Sequence, residues 1–175
     1  GESDFRLADL LEALSDKTKG LKRLRISSIE ESEIDERFLS VLSSCPVIVD
    51  HLHIPLQSGS SEVLKAMHRH YDTEAFLRKL EAIRRIRPEI AITTDIIAGY
   101  PTETDEDHAE TLRFCEKARF AEIHVFPFSS RPGTVAATLQ DTDPKVKKAR
   151  VGDLLSLSRK LRDEYKQGFY GREME

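Results

Sequence analysis

Four ionisable residues, Arg25, His53, Asp95 and His124, each lie in a short segment in which polar and apolar residues alternate. In a β-strand such alternation places the ionisable side chain on one face and the apolar side chains on the other. Histidine and carboxylate groups gathered on one face could pair with each other, hold a polar ligand or coordinate a divalent metal ion. The pattern therefore predicts a polar cavity at these residues or, as the alternative, an open sheet whose polar face meets solvent.

The segments around these residues predict four β-strands, over residues 21–27, 51–56, 90–98 and 122–128. Amphipathic helical patterns precede the first strand and separate the others, and the last pattern covers about residues 144–168. The pairs Ser32 with Asp35 and Thr104 with Asp107 have capping-box spacing and predict two helix starts. Strands that alternate with helices indicate βαβ units, so we expect one α/β domain over residues 1–175 with a parallel sheet.

The loops that follow the four predicted strands read SSIE, QSGSS, AGYPTET and FSSRPGT. Serine, threonine and glycine offer hydroxyl and backbone N–H groups at close approach, although turns favour these residues in any case. Parallel α/β sheets and barrels bind ligands at the carboxyl ends of their strands. Four such loops in succession therefore predict a ligand site at this edge of the sheet.

Composition excludes several classes of protein. The chain has 27 Lys and Arg against 31 Asp and Glu, so its net charge of -4 makes no overall attraction for nucleic acid. Its apolar runs are too short to span a membrane, and its composition is typical of a soluble cytoplasmic protein. The two cysteines, Cys45 and Cys115, are far apart in sequence and are expected to be buried thiols.

The runs LKRLRISSIE, HLHIPLQSGSSEVLKAM, ITTDIIAGYPTETDED and HVFPFSSRPGT occur in this order. Together they resemble the methylthiotransferases of the radical SAM superfamily, most closely the branch that acts on threonylcarbamoyladenosine beside the tRNA anticodon. The resemblance covers about residues 9–171. It implies a partial (β/α) TIM-like barrel of the radical SAM type, in which this chain holds the last four of six parallel strands.

The resemblance also implies which parts of such an enzyme lie outside this chain. These are the CxxxCxxC loop that binds the SAM-cleaving 4Fe–4S cluster, the amino-terminal domain with a second cluster, and the carboxy-terminal RNA-binding domain. The whole enzyme would use S-adenosyl-L-methionine (SAM) and iron–sulfur clusters to add a methylthio group to C2 of a modified adenosine in tRNA. The isolated chain, which would bind no cluster, is expected to be inactive.

The same resemblance suggests residues that position SAM, without assigning a catalytic residue. Gly99 would approach the adenine, with two residues of the last strand on the other side of that ring. Serine and glutamine side chains would bond the ribose and methionine portions, and Asp95 would pair with Arg25 in the cavity. The expected cofactor-binding residues are Ser27, Ser28, Gln57, Ser58, Asp95, Gly99, Val125 and Phe126.

Two other functions are compatible with these residues. A sibling activity of the same family, methylthiolation of a ribosomal protein, shares most of the motifs. A metal-dependent TIM-barrel hydrolase could instead use His51, His53, His124 and Asp95 as ligands, whereas the methylthiotransferase interpretation includes no metal ligand in this chain. Because the predicted strand at 21–27 would have an open edge, self-association through that edge is also expected.

Overall fold

The computed structural model describes residues 5–173, which form a three-stranded parallel sheet with helices packed against one face. The strands are β1 (His51–His53), β2 (Ala91–Ala98) and β3 (Glu122–Pro127), in the order β1-β2-β3. The helices are α1 (Leu7–Lys17), α2 (Glu36–Ser44), α3 (Ser61–Ala66), α4 (Thr73–Ile86), α5 (Asp105–Ala118) and α6 (Pro144–Gln167). Short 3-10 turns lie at Glu31–Glu33 and Val135–Thr138.

The first predicted strand, at 21–27, is not a regular strand. It contributes one isolated parallel bridge, between Leu24 and Ile48, and two flanking backbone hydrogen bonds. Five residues further on, Ile29 N donates to His53 O at 3.0 Å, so this segment follows the edge of β1 without forming a continuous ladder. The open, parallel α/β architecture is confirmed, with three regular strands where four were predicted.

The second predicted strand, 51–56, is shortened to three residues. Its ladder with β2 is interrupted after Ile54 N, which donates to Thr93 O at 2.9 Å, and resumes as a single bridge between Gln57 and Ile96. Thr94 stabilises this interruption, because its fully buried hydroxyl donates to Ile54 O at 2.8 Å and accepts from Leu56 N at 3.0 Å.

Side-chain caps fix the helix starts. The capping box of Thr104 and Asp107 is present at α5, as predicted. At α2, however, Asp35 is the N-cap and accepts from Phe38 N at 2.8 Å, while Ser32 lies in the preceding 3-10 turn. Asp35 also pairs with Arg6 at 3.0 Å, a tertiary contact that sequence spacing does not show.

The hydrophobic core lies between the sheet and the helices. Alternate residues of the strands point into it, and it is closed by apolar side chains of the helices. Its fully buried members include Phe38, Leu42, Leu52, Ile54, Phe76, Leu80, Ile92 and Ile96. Among the described residues, no helix combines the length and the apolar character that crossing a membrane requires.

Candidate functional site

The opposite face of the sheet carries the predicted ionisable residues. The register places Asp95 of β2 beside His124 of β3, with β1 on the other side. Asp95 Oδ1 lies 3.3 Å from His53 Nε2 and 3.2 Å from His124 Nδ1. The two imidazole rings stack with their centroids 5.2 Å apart. Strand alternation and the register of the sheet thus bring three of the four predicted residues together.

Thr93 of β2 contacts two histidines of β1, one of which belongs to this cluster. Its buried hydroxyl lies 2.9 Å from His53 Nδ1 and 3.3 Å from His51 Nε2. The pKa of His51 is lowered by burial first, and then by the positive charge of Arg25 and the neighbouring histidines. His51 Nδ1 is buried, and among residues 5–173 it has no hydrogen-bond partner.

The predicted ion pair between Asp95 and Arg25 is absent from the described part of the chain. There the ion-pair partners of Asp95 are His53 and His124. Arg25 is exposed, because its segment follows the sheet edge instead of forming an inner strand. This part of the sequence-based expectation was wrong.

A cavity of about 680 Å³ opens at the carboxyl ends of the strands. Its floor consists of Gln57, Asp95, Ile97 and Phe126, all at or near strand ends. Its walls come from the loops after α3, β2 and β3 and include Arg69, Tyr100, Phe128 and Arg131. The volume is typical of a site for a cofactor or small molecule, and the mixture of aromatic and cationic groups suits a ligand with an aromatic ring and a carboxylate.

Two of the three non-glycine residues that have a positive φ in the described part of the chain line this cavity, and the third, Arg119, ends α5. Gln57 and His68, the two that line the cavity, have φ values of 75° and 57°. A left-handed conformation costs a non-glycine residue about 1–2 kcal/mol. The strand holds Gln57 in place, because Gln57 N donates to Asp95 O at 2.8 Å and Ile97 N donates to Gln57 O at 2.9 Å. Such strain is frequent at functional sites.

The rest of the QSG loop is attached to α5 and not to the cavity. The Ser58 hydroxyl is buried, lies 3.4 Å from Thr111 Oγ1 and accepts from Ser60 N at 3.2 Å. A Cβ on Gly59 would lie 2.7 Å from Thr111 Cα, so only glycine permits this approach. The Ser60 hydroxyl donates to Asp107 at 2.6 Å.

The other predicted cofactor-binding residues are dispersed. Val125 packs against the hydrophobic core, on the opposite face of β3 from Phe126. Gly99 has a φ of 75° and donates its N–H to Glu103 Oε2 at 2.8 Å. Ser27 and Ser28 are exposed residues of the edge segment. The structure therefore brings Gln57, Asp95 and Phe126 into one cavity, and the cofactor roles of all eight residues stay predictions.

A buried ion cluster, formed by Glu103 and Arg150, holds the AGYPTET loop that follows β2 in place. Glu103 Oε2 accepts from Gly99 N and Tyr100 N, and Glu103 Oε1 lies 3.3 Å from Arg150 Nη1. Arg150 also donates to Glu103 O at 3.0 Å and to Asp105 at 2.8 Å. Burial by itself lowers the pKa of nearby His108, but Glu103 and an exposed aspartate outweigh it and raise that pKa.

Sequence reasoning missed the cavity walls. Arg69 and Tyr100 are not strand residues, and they reach the cavity because the loops that carry them fold back over the strand ends. Two residues could have indicated these walls from the sequence. They are Tyr100 in the loop AGYPTET and Arg131 in the loop FSSRPGT, which are larger than most of their neighbours in these loops.

An open parallel sheet with helices on one face and a ligand cavity at its carboxyl edge defines a partial α/β barrel. Coproporphyrinogen III oxidase from Escherichia coli, a radical SAM enzyme, has a similar fold: the TM-score is 0.64 at 20% identity, over 79% of this chain and 32% of that one. Residues 3–115 match the family model of the radical SAM superfamily. The chain therefore belongs to the radical SAM superfamily.

Proteins with similar sequences indicate a narrower class of enzyme than the superfamily does. The chain is 46% identical over 163 residues to the threonylcarbamoyladenosine tRNA methylthiotransferase MtaB of Bacillus subtilis. It is 43% identical over 158 residues to the tRNA-2-methylthio-N(6)-dimethylallyladenosine synthase of Thermobifida fusca. These matches cover 93% and 90% of the chain, and they confirm its resemblance to the methylthiotransferases. The chain spans about a third of the length of these curated relatives, 36% and 32%.

Proposed function

We propose that this chain is the carboxy-terminal two-thirds of the radical SAM barrel of a tRNA methylthiotransferase. The whole enzyme adds a methylthio group to C2 of a modified adenosine beside the anticodon, in the cytoplasm. The observation that carries the proposal is the 46% identity to a threonylcarbamoyladenosine tRNA methylthiotransferase across 93% of the chain. In this proposal the chain alone is inactive, and tRNA binds mainly to other parts of the enzyme.

The cavity at the strand ends fits SAM. Phe126 is half exposed and offers a ring face on which an adenine can stack, while Gln57 and Asp95 offer hydrogen-bonding groups beside it. Arg69 and Arg131 supply positive charge for the carboxylate of the methionine portion. Bound SAM would supply the radical once the reduced iron–sulfur cluster of the longer protein cleaves it, and these residues would hold SAM in one orientation and limit the access of water.

The cysteines do not fit an iron–sulfur cluster. Such clusters need several thiolates close together. Cys45, which directly follows α2, and Cys115, in α5, are both buried, and burial raises the pKa of the Cys115 thiol. In the proposal, the cluster ligands therefore belong to another part of the longer protein.

The proposal is tested by expressing the longer protein that contains this chain in a bacterium lacking its own tRNA methylthiotransferases. Digested tRNA is then analysed by mass spectrometry. We expect 2-methylthio-threonylcarbamoyladenosine. The dimethylallyl product would assign the enzyme to the other tRNA branch, and a methylthiolated ribosomal protein with unmodified tRNA would contradict the tRNA assignment.

A second measurement tests the SAM site in the same protein. Stacking on an aromatic ring contributes about 1–3 kcal/mol per base, so Phe126→Ala should weaken SAM binding about fivefold or more. Leu155→Ala, at an exposed apolar position of α6, is the control and should bind SAM normally. Equal SAM affinities in the Phe126→Ala variant and the control would exclude this cavity as the SAM site.

A further inference from the structure

The cluster of His53, Asp95 and His124 contains two histidines that the proposed function does not use, and it shares Asp95 with the proposed SAM site. We propose that these three residues bind one divalent metal ion of the zinc class. Each residue offers one ligand atom, and the three atoms lie within 4.8 Å of one another. The proposal requires neither SAM nor tRNA and is independent of the methylthiotransferase assignment.

The distances agree with a tetrahedral ion. Bonds from zinc to histidine nitrogen or carboxylate oxygen are about 2.0–2.1 Å, which separates ligand atoms at tetrahedral angles by about 3.3 Å. The distances from Asp95 Oδ1 to His53 Nε2 and to His124 Nδ1 are 3.3 and 3.2 Å. Two of the three separations therefore match tetrahedral zinc, and the third, between the two imidazole nitrogens, is within 4.8 Å.

The surroundings of His53 favour a metal ligand. A metal-binding histidine usually forms a hydrogen bond through its other ring nitrogen, which fixes the tautomer and the ring orientation. His53 Nδ1 lies 2.9 Å from the buried Thr93 hydroxyl, so Nε2 is the atom that is directed at Asp95. Thr93 is fixed within β2, so the ring of His53 is held before any ion binds.

Two neutral imidazoles and one carboxylate give the set a net charge of -1, which suits a divalent cation. Two histidines and one carboxylate are also a ligand set that zinc and related ions accept in sites with an open position. Asp95 lines the cavity and His124 is half exposed, so the remaining coordination position faces the cavity. A water molecule or a polar group of a bound ligand would occupy it.

The alternative is a pair of hydrogen bonds from the histidines to Asp95, with no affinity for metal. An untagged chain freed of metal by chelation distinguishes the two when it is titrated with zinc chloride in a calorimeter. We expect one zinc ion per chain. Cobalt(II) should give the intense visible absorption of a four-coordinate site.

The variants Asp95→Asn and His124→Gln, both at partly exposed positions, should bind zinc at least tenfold more weakly. His70→Gln removes an exposed histidine outside the cluster and should leave zinc affinity unchanged. Because an ion that binds the folded state raises the melting temperature, zinc should also raise the melting temperature of the chain. The absence of zinc-dependent stabilisation, or equal zinc affinity in all three variants, would overturn the proposal.

Discussion

Replacing Arg150 with methionine is expected to destabilise the chain by about 3–5 kcal/mol, the usual cost of removing one partner of a buried ion pair. The side chains of Arg150 and Glu103 are only 7% and 4% exposed. Without the guanidinium, Glu103 Oε1 would remain in a buried position, with the His108 imidazole 3.5 Å away as the remaining partner of this ion cluster. The loss is large because whole domains are stable by only about 5–15 kcal/mol.

Urea denaturation followed by circular dichroism measures this loss. With a slope of about 2 kcal/mol per molar urea, the midpoint should fall by roughly 2 M. Arg162→Met, in the same helix, is the control, because its 3.4 Å pair with Glu122 is about 40% exposed on both sides and is worth about 0–1 kcal/mol. Adding Glu103→Gln to Arg150→Met should restore part of the stability. If Arg150→Met costs no more than Arg162→Met, the buried pair does not stabilise the loop.

Two further predictions concern pH and packing. The pKa of folded His108 is raised above 6.5, so its stabilising contribution is full below pH 6.5 and is lost as the pH rises through the folded-state pKa. His108→Gln should therefore reduce the free energy of unfolding more at pH 6 than at pH 8.5, and an equal loss at both would contradict this. Gly59→Ala should cost about 1–3 kcal/mol, because its Cβ would overlap the backbone of α5. Gly152→Ala, with open space around the new Cβ, should stabilise α6 by about 0.5–1 kcal/mol in the same unfolding assay, and similar effects of the two substitutions would refute the packing argument.

Much of the architecture was predictable because two periodicities are clear in the sequence. Apolar residues at alternate positions of β2 and β3 fix which face of each strand lies on the core, and thereby place Asp95 beside His124. The capping box at Thr104 predicted the start of α5 correctly. These features depend on residues within a few positions of each other, which is why sequence patterns contain them.

Features that depend on distant parts of the chain were not predictable. The segment 21–27 has the alternation of a strand, but it forms a single bridge, between Leu24 and Ile48, and its own alternation does not determine how far it pairs with a distant segment. Asp35 and Ser32 are both good N-cap residues, and the contact of Asp35 with Arg6 favours Asp35. Likewise, Arg25 has a suitable charge for Asp95, but its exposed segment keeps it outside the cluster.

The site itself was only half predictable, for a related reason. Strand alternation identified Asp95, and the family resemblance implied Phe126; both side chains line the cavity. Strand alternation could not identify Arg69 or Arg131, because their positions depend on how the loops fold back. Ser58 illustrates a second limit of such patterns. A small polar residue after a strand is typical of a ligand site, and the structure places the Ser58 hydroxyl 3.4 Å from Thr111 Oγ1 of α5.

The inner face of this sheet differs from that of an ordinary barrel, whose interior is filled by branched apolar side chains. In β2 the inward positions are Thr93, Asp95 and Ile97, so packing within the interior adds little to stability. Stability must then come from the other face, where Ile92 and Ile96 are buried under the helices. Strand alternation consequently separates the residues that fold the chain from those available to bind ligands. Conservative substitutions of Asp95 should therefore change ligand affinity and leave the free energy of unfolding nearly unchanged.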